Sequence, residues 1–230
     1  MSKTTAPPRK RQTKAEQRAE TLEQLLDSAE FLFSQSGLAG VTLRDVANRV
    51  GVHTTLLHYY FKDKTTLFEA VFARRAGVSS SRRVAALERY EAEVGDHPTV
   101  EGALHAFLDT DLDLYIGGGE PWKNYAAFCA RISNTPEGAA LLDVHFDPVV
   151  LKLVGILKKA LPGHSEEDIF WGYHFVTGAL MNTLARTGRI DRLSGGLCHS
   201  DDFAAVKQRM ARFMAAGFLA LPATAAAPAI

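Results

Sequence analysis

The chain has 230 residues, 47% of them apolar and 23% charged, a composition that excludes a chain too polar to bury a core. Its zero formal charge hides a polarity: residues 1–75 carry 12 Lys or Arg against 8 Asp or Glu, the remainder 14 against 18, so only the front suits a polyanion. Cys129 and Cys198 lack metal or redox spacing, no run of about 18 apolar residues occurs, and the start MSKTTAPPRKRQTK is too polar for a secretory signal, which together predict a cytoplasmic protein with reduced thiols.

In chain order, residues 1–14 read as a flexible basic arm whose Lys3, Arg9, Lys10, Arg11 and Lys14 either track a nucleic-acid backbone or form a solvated tail. From Ala15 to Ser36, Leu22, Leu25, Leu26, Ala29, Leu32 and Phe33 make an amphipathic stripe closed by Gly37. A second helix is expected to start at Thr42, with Asp45 reaching back as an acidic capping-box partner, and to end at Gly51. A short third helix runs over 54–61, and Asp63 caps a long fourth one that carries Leu67, Phe68, Val71 and Phe72 to about Glu93. Beyond GDHPT at 95–99, helices are expected over 100–116, 122–133, 136–161 with a possible break at Asp147-Pro148, 166–186 and 202–219; residues 221–230 read as a disordered tail. No sustained period-2 alternation occurs, so the chain is expected to be all-α.

The third helix is not patterned as core. With Leu57 facing inward, Tyr60 and Phe61 fall beside it, whereas Thr55 and Tyr59 point away with Leu56 and His58 on the flanks. Hydroxyls, a phenol and an imidazole suit phosphates and base edges, and an aliphatic tip suits a thymine methyl. Two helices joined by a short Gly-containing turn form a helix-turn-helix, whose second helix enters the major groove.

The ordered run Thr42-x-Arg44-Asp45-x-Ala47-x-x-x-Gly51-Val52, then Leu57-x-x-Tyr60-Phe61-x-x-Lys64-x-x-Leu67, resembles the TetR family of one-component bacterial repressors. That resemblance implies a helix-turn-helix domain over 15–75 and a helical effector-binding and dimerisation domain over 76–220. It aligns Thr42, Arg44, Thr54, Thr55, His58, Tyr59, Tyr60 and Lys64 with positions that commonly touch DNA; the wheel adds Leu56. The chain departs from the pattern at His53, where a Ser or Thr cap is usual, and at Leu56, where a small or hydroxylic residue is common.

A homodimer is implied. Phe203, Val206, Met210, Phe213 and Gly217 follow 3-4-3-4 spacing, a stripe that serves either an interface or a core, and the helices over 166–186 and 202–219 are expected to build a four-helix bundle between two copies, as in the family. Rings at Phe107, Trp122, Phe128 and Phe175, with polar Arg131, His145, His174 and Asn182 set in apolar stretches, are the candidate effector pocket; each polar group could instead be satisfied by backbone or lie at the surface. FCARISNTPEGAALL and FWGYHFVTGALMNTLA resemble the fatty-acid or acyl-CoA-responsive branch, which implies a hydrophobic effector with an acid or thioester group and Arg131 as its anion partner.

The expected function is a ligand-responsive repressor released from a pseudo-palindromic operator, with no cofactor, metal or membrane role. The alternative is a helical enzyme with a hidden His/carboxylate site built from the eight histidines, but no His-x-x-x-His, phosphate loop or nucleophile elbow supports one.

Overall fold

A computed structural model describes residues 13–223, so the arm residues Lys3, Arg9, Lys10 and Arg11 and the tail beyond Ala223 lie outside the described residues. Within it the chain forms α1 (Lys14–Ser36), α2 (Leu43–Val50), α3 (Thr54–Tyr60), α4 (Lys64–Val94), α5 (Val100–Gly117), α6 (Gly119–Ile132), α7 (Pro136–Ala160), α8 (Glu166–Leu184), α9 (Arg189–Leu193), α10 (Phe203–Lys207) and α11 (Met210–Leu219). No strand occurs among the described residues, and none of these helices is long and apolar enough to cross a membrane.

The helix starts are chemically explicit. Thr13 and Glu16 close a capping box on α1, so Lys14 opens a helix instead of belonging to the arm. Thr42 and Asp45 close another on α2, and Gly51 stops it in the left-handed region at φ 79°. His53 itself caps α3: its Nδ1 accepts from the Thr55 amide at 3.4 Å and pairs with the Thr55 hydroxyl at 2.8 Å. Asp63 caps α4, Thr99 α5, Thr135 α7 and Ser165 α8.

α4 joins the head to the body. Its 31 residues span about 46 Å, packing against α1 near its start and against α5 and α7 farther along. The head core of Leu25, Ala29, Phe33, Val46, Ala47, Leu57 and Leu67 is buried. It continues into the body through Phe128, stacked on Phe33 at 6.1 Å and edge-on to Phe68 at 5.0 Å. Arg74 and Arg75 of α4 clamp the buried Glu30 of α1 at 3.0 and 2.6 Å, and Arg75 lies 5.1 Å over the Trp122 ring of α6. Burial pushes the Glu30 carboxyl up from its ordinary value against the pull of both arginines.

Three expectations change. The final helix is broken into α10 and α11: the Arg209 guanidinium donates to the Ala205 carbonyl at 2.9 Å, while the Arg209 amide turns to Val206 O at 3.0 Å. α7 runs unbroken through Pro148; both Pro148 and Val144, whose carbonyl loses its helical donor, are exposed, so water can take the donor's place. Within the expected tail, Leu221 docks, its carbonyl 3.2 Å from His164 Nε2.

Candidate DNA-binding rim and effector cavity

The back of α3 is locked in the head core by the fully buried Leu57 and by Phe61, which leaves the opposite face to solvent. Thr55 and His58 are exposed, Tyr59 is 71% exposed, and Leu56 and Thr54 are half-buried at the edges of this rim. Tyr60 is a brace: half-buried, it donates to Arg18 O at 3.4 Å and meets the Tyr59 ring edge-on at 5.2 Å. Arg44 is exposed on α2, and Lys64 is half-buried at the first position of α4.

The helix starts beside the rim are partly occupied. Asp45 Oδ2 accepts from the Thr42 amide at 2.9 Å and hydroxyl at 2.6 Å, and Asp63 Oδ1 accepts from the Thr66 amide at 2.8 Å. These hydrogen bonds hold both carboxyls below their ordinary values, Asp45 through Thr42 and Asp63 through Thr66. The amides left for an incoming phosphate are those at the first positions, Leu43 and Arg44 on α2 and Lys64 on α4.

The body encloses a cavity of about 270 Å³ between α4, α5, α6, α7 and α8. Its inner end carries a buried charged cluster. Arg83 Nη2 donates to Asp111 Oδ2 at 2.7 Å, the Ser79 hydroxyl lies 2.8 Å from both Asp111 oxygens, and the Tyr115 hydroxyl donates to Oδ2 at 3.2 Å. The guanidinium is sandwiched 4.3 Å from Phe107 and 5.6 Å from Phe146. Burial holds the Tyr115, Tyr125 and Tyr173 hydroxyls above their ordinary values, so all three stay protonated donors, and it pushes the Cys129 thiol up to about 12. In this lining Arg83 Nε is a buried donor without a partner among the described residues, and the Tyr125 hydroxyl pairs with the Cys129 sulfur.

Of the expected pocket residues, Phe107 lines this cavity and the rest do not. Arg131 is exposed on α6 and donates through Nε to Ser34 O of α1 at 3.1 Å, so it ties body to head. Phe128 fills the head–body core, and Trp122 serves as the platform for Arg75. His145 packs on the Phe72 ring at 5.4 Å. His174 and Asn182 lie on the exposed side of α8, and Phe175, 59% exposed, stacks with Trp171. The charged lining pair that was missed, Arg83 and Asp111, was readable: Arg83 falls on the helical stripe of Phe72, Ala76, Ser79 and Leu87, and Asp111 on that of Leu104, Phe107, Leu108 and Tyr115, each a charge on an apolar face.

The dimer stripe also divides. Phe203 and Met210 are buried within their own subunit, Phe203 against Tyr115 at 5.7 Å, and Val206 is half-buried, whereas Phe213 is 74% exposed beside the exposed Gly217. The break at Arg209 divides the stripe between α10 and α11. Phe170, Trp171 and Phe175 of α8 and Phe213 and Leu219 of α11 are the large exposed apolar side chains of these helices. No group of three or more His, Cys, Asp or Glu among the described residues is placed to hold a metal ion, and His145 and His174 sit in separate surroundings.

Residues 25–71 match the family of bacterial regulatory proteins of the tetR type, and residues 105–217 match the tetracyclin repressor-like C-terminal domain. The HTH-type transcriptional regulator BetI of Escherichia coli O157:H7 is 27% identical over 177 residues, 77% of this chain and 87% of BetI. A TetR-like transcriptional regulator from Rhodococcus sp. RHA1 shares the fold with a TM-score of 0.58 at 19% identity, over 90% of this chain and 100% of that one. The fatty acid degradation regulator FadR of Bacillus halodurans does so with a TM-score of 0.53 at 14% identity, over 86% and 95%. At these identities the two structures speak for the fold alone. With both halves matched in a single chain, the protein belongs to the TetR family of ligand-responsive, DNA-binding transcriptional repressors.

Proposed function

We propose that two copies of this chain present their α3 rims to successive major grooves of a pseudo-palindromic operator, about 34 Å apart. Thr54, Thr55, Leu56, His58 and Tyr59 form the reading surface, braced by Tyr60, while Arg44 and Lys64 hold phosphates and Thr42, both of whose donors go to Asp45, fixes the start of α2. The observation that carries this reading is the orientation of α3, with Leu57 at 0% exposure and Tyr59 at 71%. The copies meet through Trp171, Phe175, Phe213 and Gly217, and residues 15–75 and 76–220 are the working units, linked by α4.

The effector is a compact, largely apolar molecule that enters the cavity beside Phe107, Phe146 and Tyr173. An acyl-CoA or fatty-acid effector loses its support: Arg131 lies outside the cavity, and the cation inside, Arg83, is neutralised by Asp111. Occupation of the cavity shifts α4, on which Arg83 and the Arg74–Arg75 clamp are carried, toward a head separation that no longer fits the operator. A preference of a few kcal/mol for that state is enough to release most of the DNA. The test is fluorescence anisotropy with labelled duplexes from the DNA upstream of the chain's own gene. Specific, steeply salt-dependent binding that is weakened about tenfold by Tyr59→Ala supports the reading, and salt-insensitive or absent binding removes it.

A further inference from the structure

We infer that the recess at the end of α8 is a second ligand site, separate from the Arg83–Asp111 cavity, and that Arg186 and Arg189 there bind the phosphate of a small phosphate monoester. The recess measures about 330 Å³ and lies between the last turn of α8, residues 185–188, α9 and α10. Arg186 and Arg189 line it, and no Asp or Glu does. Neither guanidinium forms an ion pair among the described residues. Arg189 has no side-chain hydrogen bond there either, and Arg186 donates through Nη2 to Lys123 O of α6 at 3.2 Å, a neutral acceptor that leaves its charge uncancelled.

Two further observations mark this place. Arg186 Nε is buried without a hydrogen-bond partner, and buried donors are seldom left so, least of all on a cation that no carboxylate balances. Arg186 is also the non-glycine residue with positive φ among the described residues, at 46°, a strained conformation for a long side chain and one that recurs at ligand sites. A guanidinium serving the end of α8 alone would donate to that helix's last carbonyls, whereas this one reaches α6. Gly188, at φ 65°, then reverses the chain and returns Arg189 to the same recess, and Arg192 Nη1 lies so close to Gly188 that an added Cβ would meet it at 3.2 Å. Asp191, the acid within this run, is committed elsewhere: Oδ2 accepts from the Ser200 amide at 3.0 Å, and Oδ1 lies 3.7 Å from His199 Nδ1.

The chemistry of the lining selects the ligand. A guanidinium fork matches the paired oxygens of a phosphate or carboxylate. Two uncancelled charges match a dianion, and a phosphate monoester carries close to two negative charges near neutral pH where a carboxylate carries one. The Ser200 hydroxyl and the Asn182 amide lie in the same lining without side-chain hydrogen bonds among the described residues, free to donate to the remaining oxygens. Ile190, Leu193 and Val206 form an apolar wall, and no Phe, Tyr or Trp lines the recess, so the rest of the ligand is a short aliphatic group with no ring to stack. The volume, at the small end of ligand sites, has no room for a long acyl chain. A phosphate held by both arginines fastens α9 to α8 and, through Lys123, to α6.

Isothermal titration calorimetry on the full-length protein at fixed chloride tests this with glycerol phosphate, inorganic phosphate, butyrate and glycerol. Glycerol phosphate is expected to bind at least about tenfold more tightly than butyrate or glycerol, and more tightly than inorganic phosphate. Arg189→Gln, at an exposed position that spares the melting temperature of the free protein, should weaken it by at least about tenfold, and Arg186→Lys, which keeps the charge and loses the fork, by a similar factor. Arg82→Gln removes an exposed arginine of α4 outside the recess and should leave the affinity within about twofold. Unchanged binding in Arg189→Gln, an equal loss in Arg82→Gln, or butyrate as tight as the ester would each overturn the proposal. So would inorganic phosphate as tight as the ester, which would mean an adventitious ion only, or no heat from glycerol phosphate at millimolar concentration.

Discussion

The α3 rim and the Arg83–Asp111 cavity are both lined by helices whose apolar stripes are locked into a core, yet their polar groups live under opposite rules. On the rim, Thr55, His58 and Tyr59 face water, so their hydrogen-bonding capacity is held by solvent until DNA replaces it. In the cavity, Arg83 and Asp111 are buried and stable only because each completes the other. Rim substitutions should therefore change binding and spare stability, whereas cavity substitutions should change both.

The largest effect is expected at the ion pair. Arg83→Met strands a buried carboxylate and should cost about 3–5 kcal/mol, roughly 10 °C in melting temperature for a chain of this size. Adding Asp111→Leu should recover most of that loss, because the stranded charge goes with it. Urea denaturation of the single and double variants measures both terms. A single variant within about 1 kcal/mol of wild type would show that the pair is solvated after all.

Next in size is the contact that brings two rims together. Phe175→Glu/Phe213→Glu places charges on the exposed apolar face of α8 and α11 and is expected to shift sedimentation from dimer to monomer at micromolar concentration, with operator affinity falling roughly a hundredfold. Phe203→Ala, by contrast, should lower the melting temperature, since that ring is buried against Tyr115. Dimerisation unaffected by the double variant would place the interface elsewhere.

At the rim, Tyr59→Ala and Lys64→Ala should each weaken operator binding by about tenfold, within the 1–3 kcal/mol of a single nucleic-acid contact, and leave the melting temperature within a degree. Lys64→Ala should also lower the salt slope by about one ion. Arg131→Ala is expected to do less. It removes one hydrogen bond at an exposed site, about 1 kcal/mol, and should leave effector affinity within twofold.

How far each region was legible follows from the same contrast. The head is specified by local chemistry: Thr42 and Asp45 announce a helix start, Gly51 a stop, and 100° per residue turns Tyr59 away from Leu57, so α1 to α4 and the exposed rim could be read within a few residues. The cavity depends on which helices meet. Arg131 and Arg83 both interrupt apolar stretches, and only the packing of α6 on α1, and of α4 on α5 and α7, sends one to the Ser34 carbonyl and the other to Asp111. The signal that could have separated them is the partner charge: Asp111 lies on the apolar stripe of its helix, and a buried acid requires a buried base. The break at Arg209 left no such mark, because Phe203 to Gly217 keep helical spacing across it.

The smallest predicted effect gives the comparison its sharpest form, because here the two environments differ in sign. Asp45 is an exposed cap held below its ordinary value by hydrogen bonds from Thr42, so its contribution to stability is present above the unfolded value, near 3.9, and is lost as pH falls through the lower folded one. Glu30 is buried beneath Arg74 and Arg75, and burial holds it above its ordinary value, so its contribution is full below the unfolded value and is lost as pH rises through the higher folded one. Urea denaturation from about pH 2 to about pH 7, a range that covers the low side of the Asp45 shift and the high side of the Glu30 shift, should show the wild-type margin over Asp45→Asn shrinking with acid and that over Glu30→Gln growing with it. Two slopes of the same sign would mean that the Glu30 clamp is open to water, and that the boundary between head and body obeys the rules of the rim.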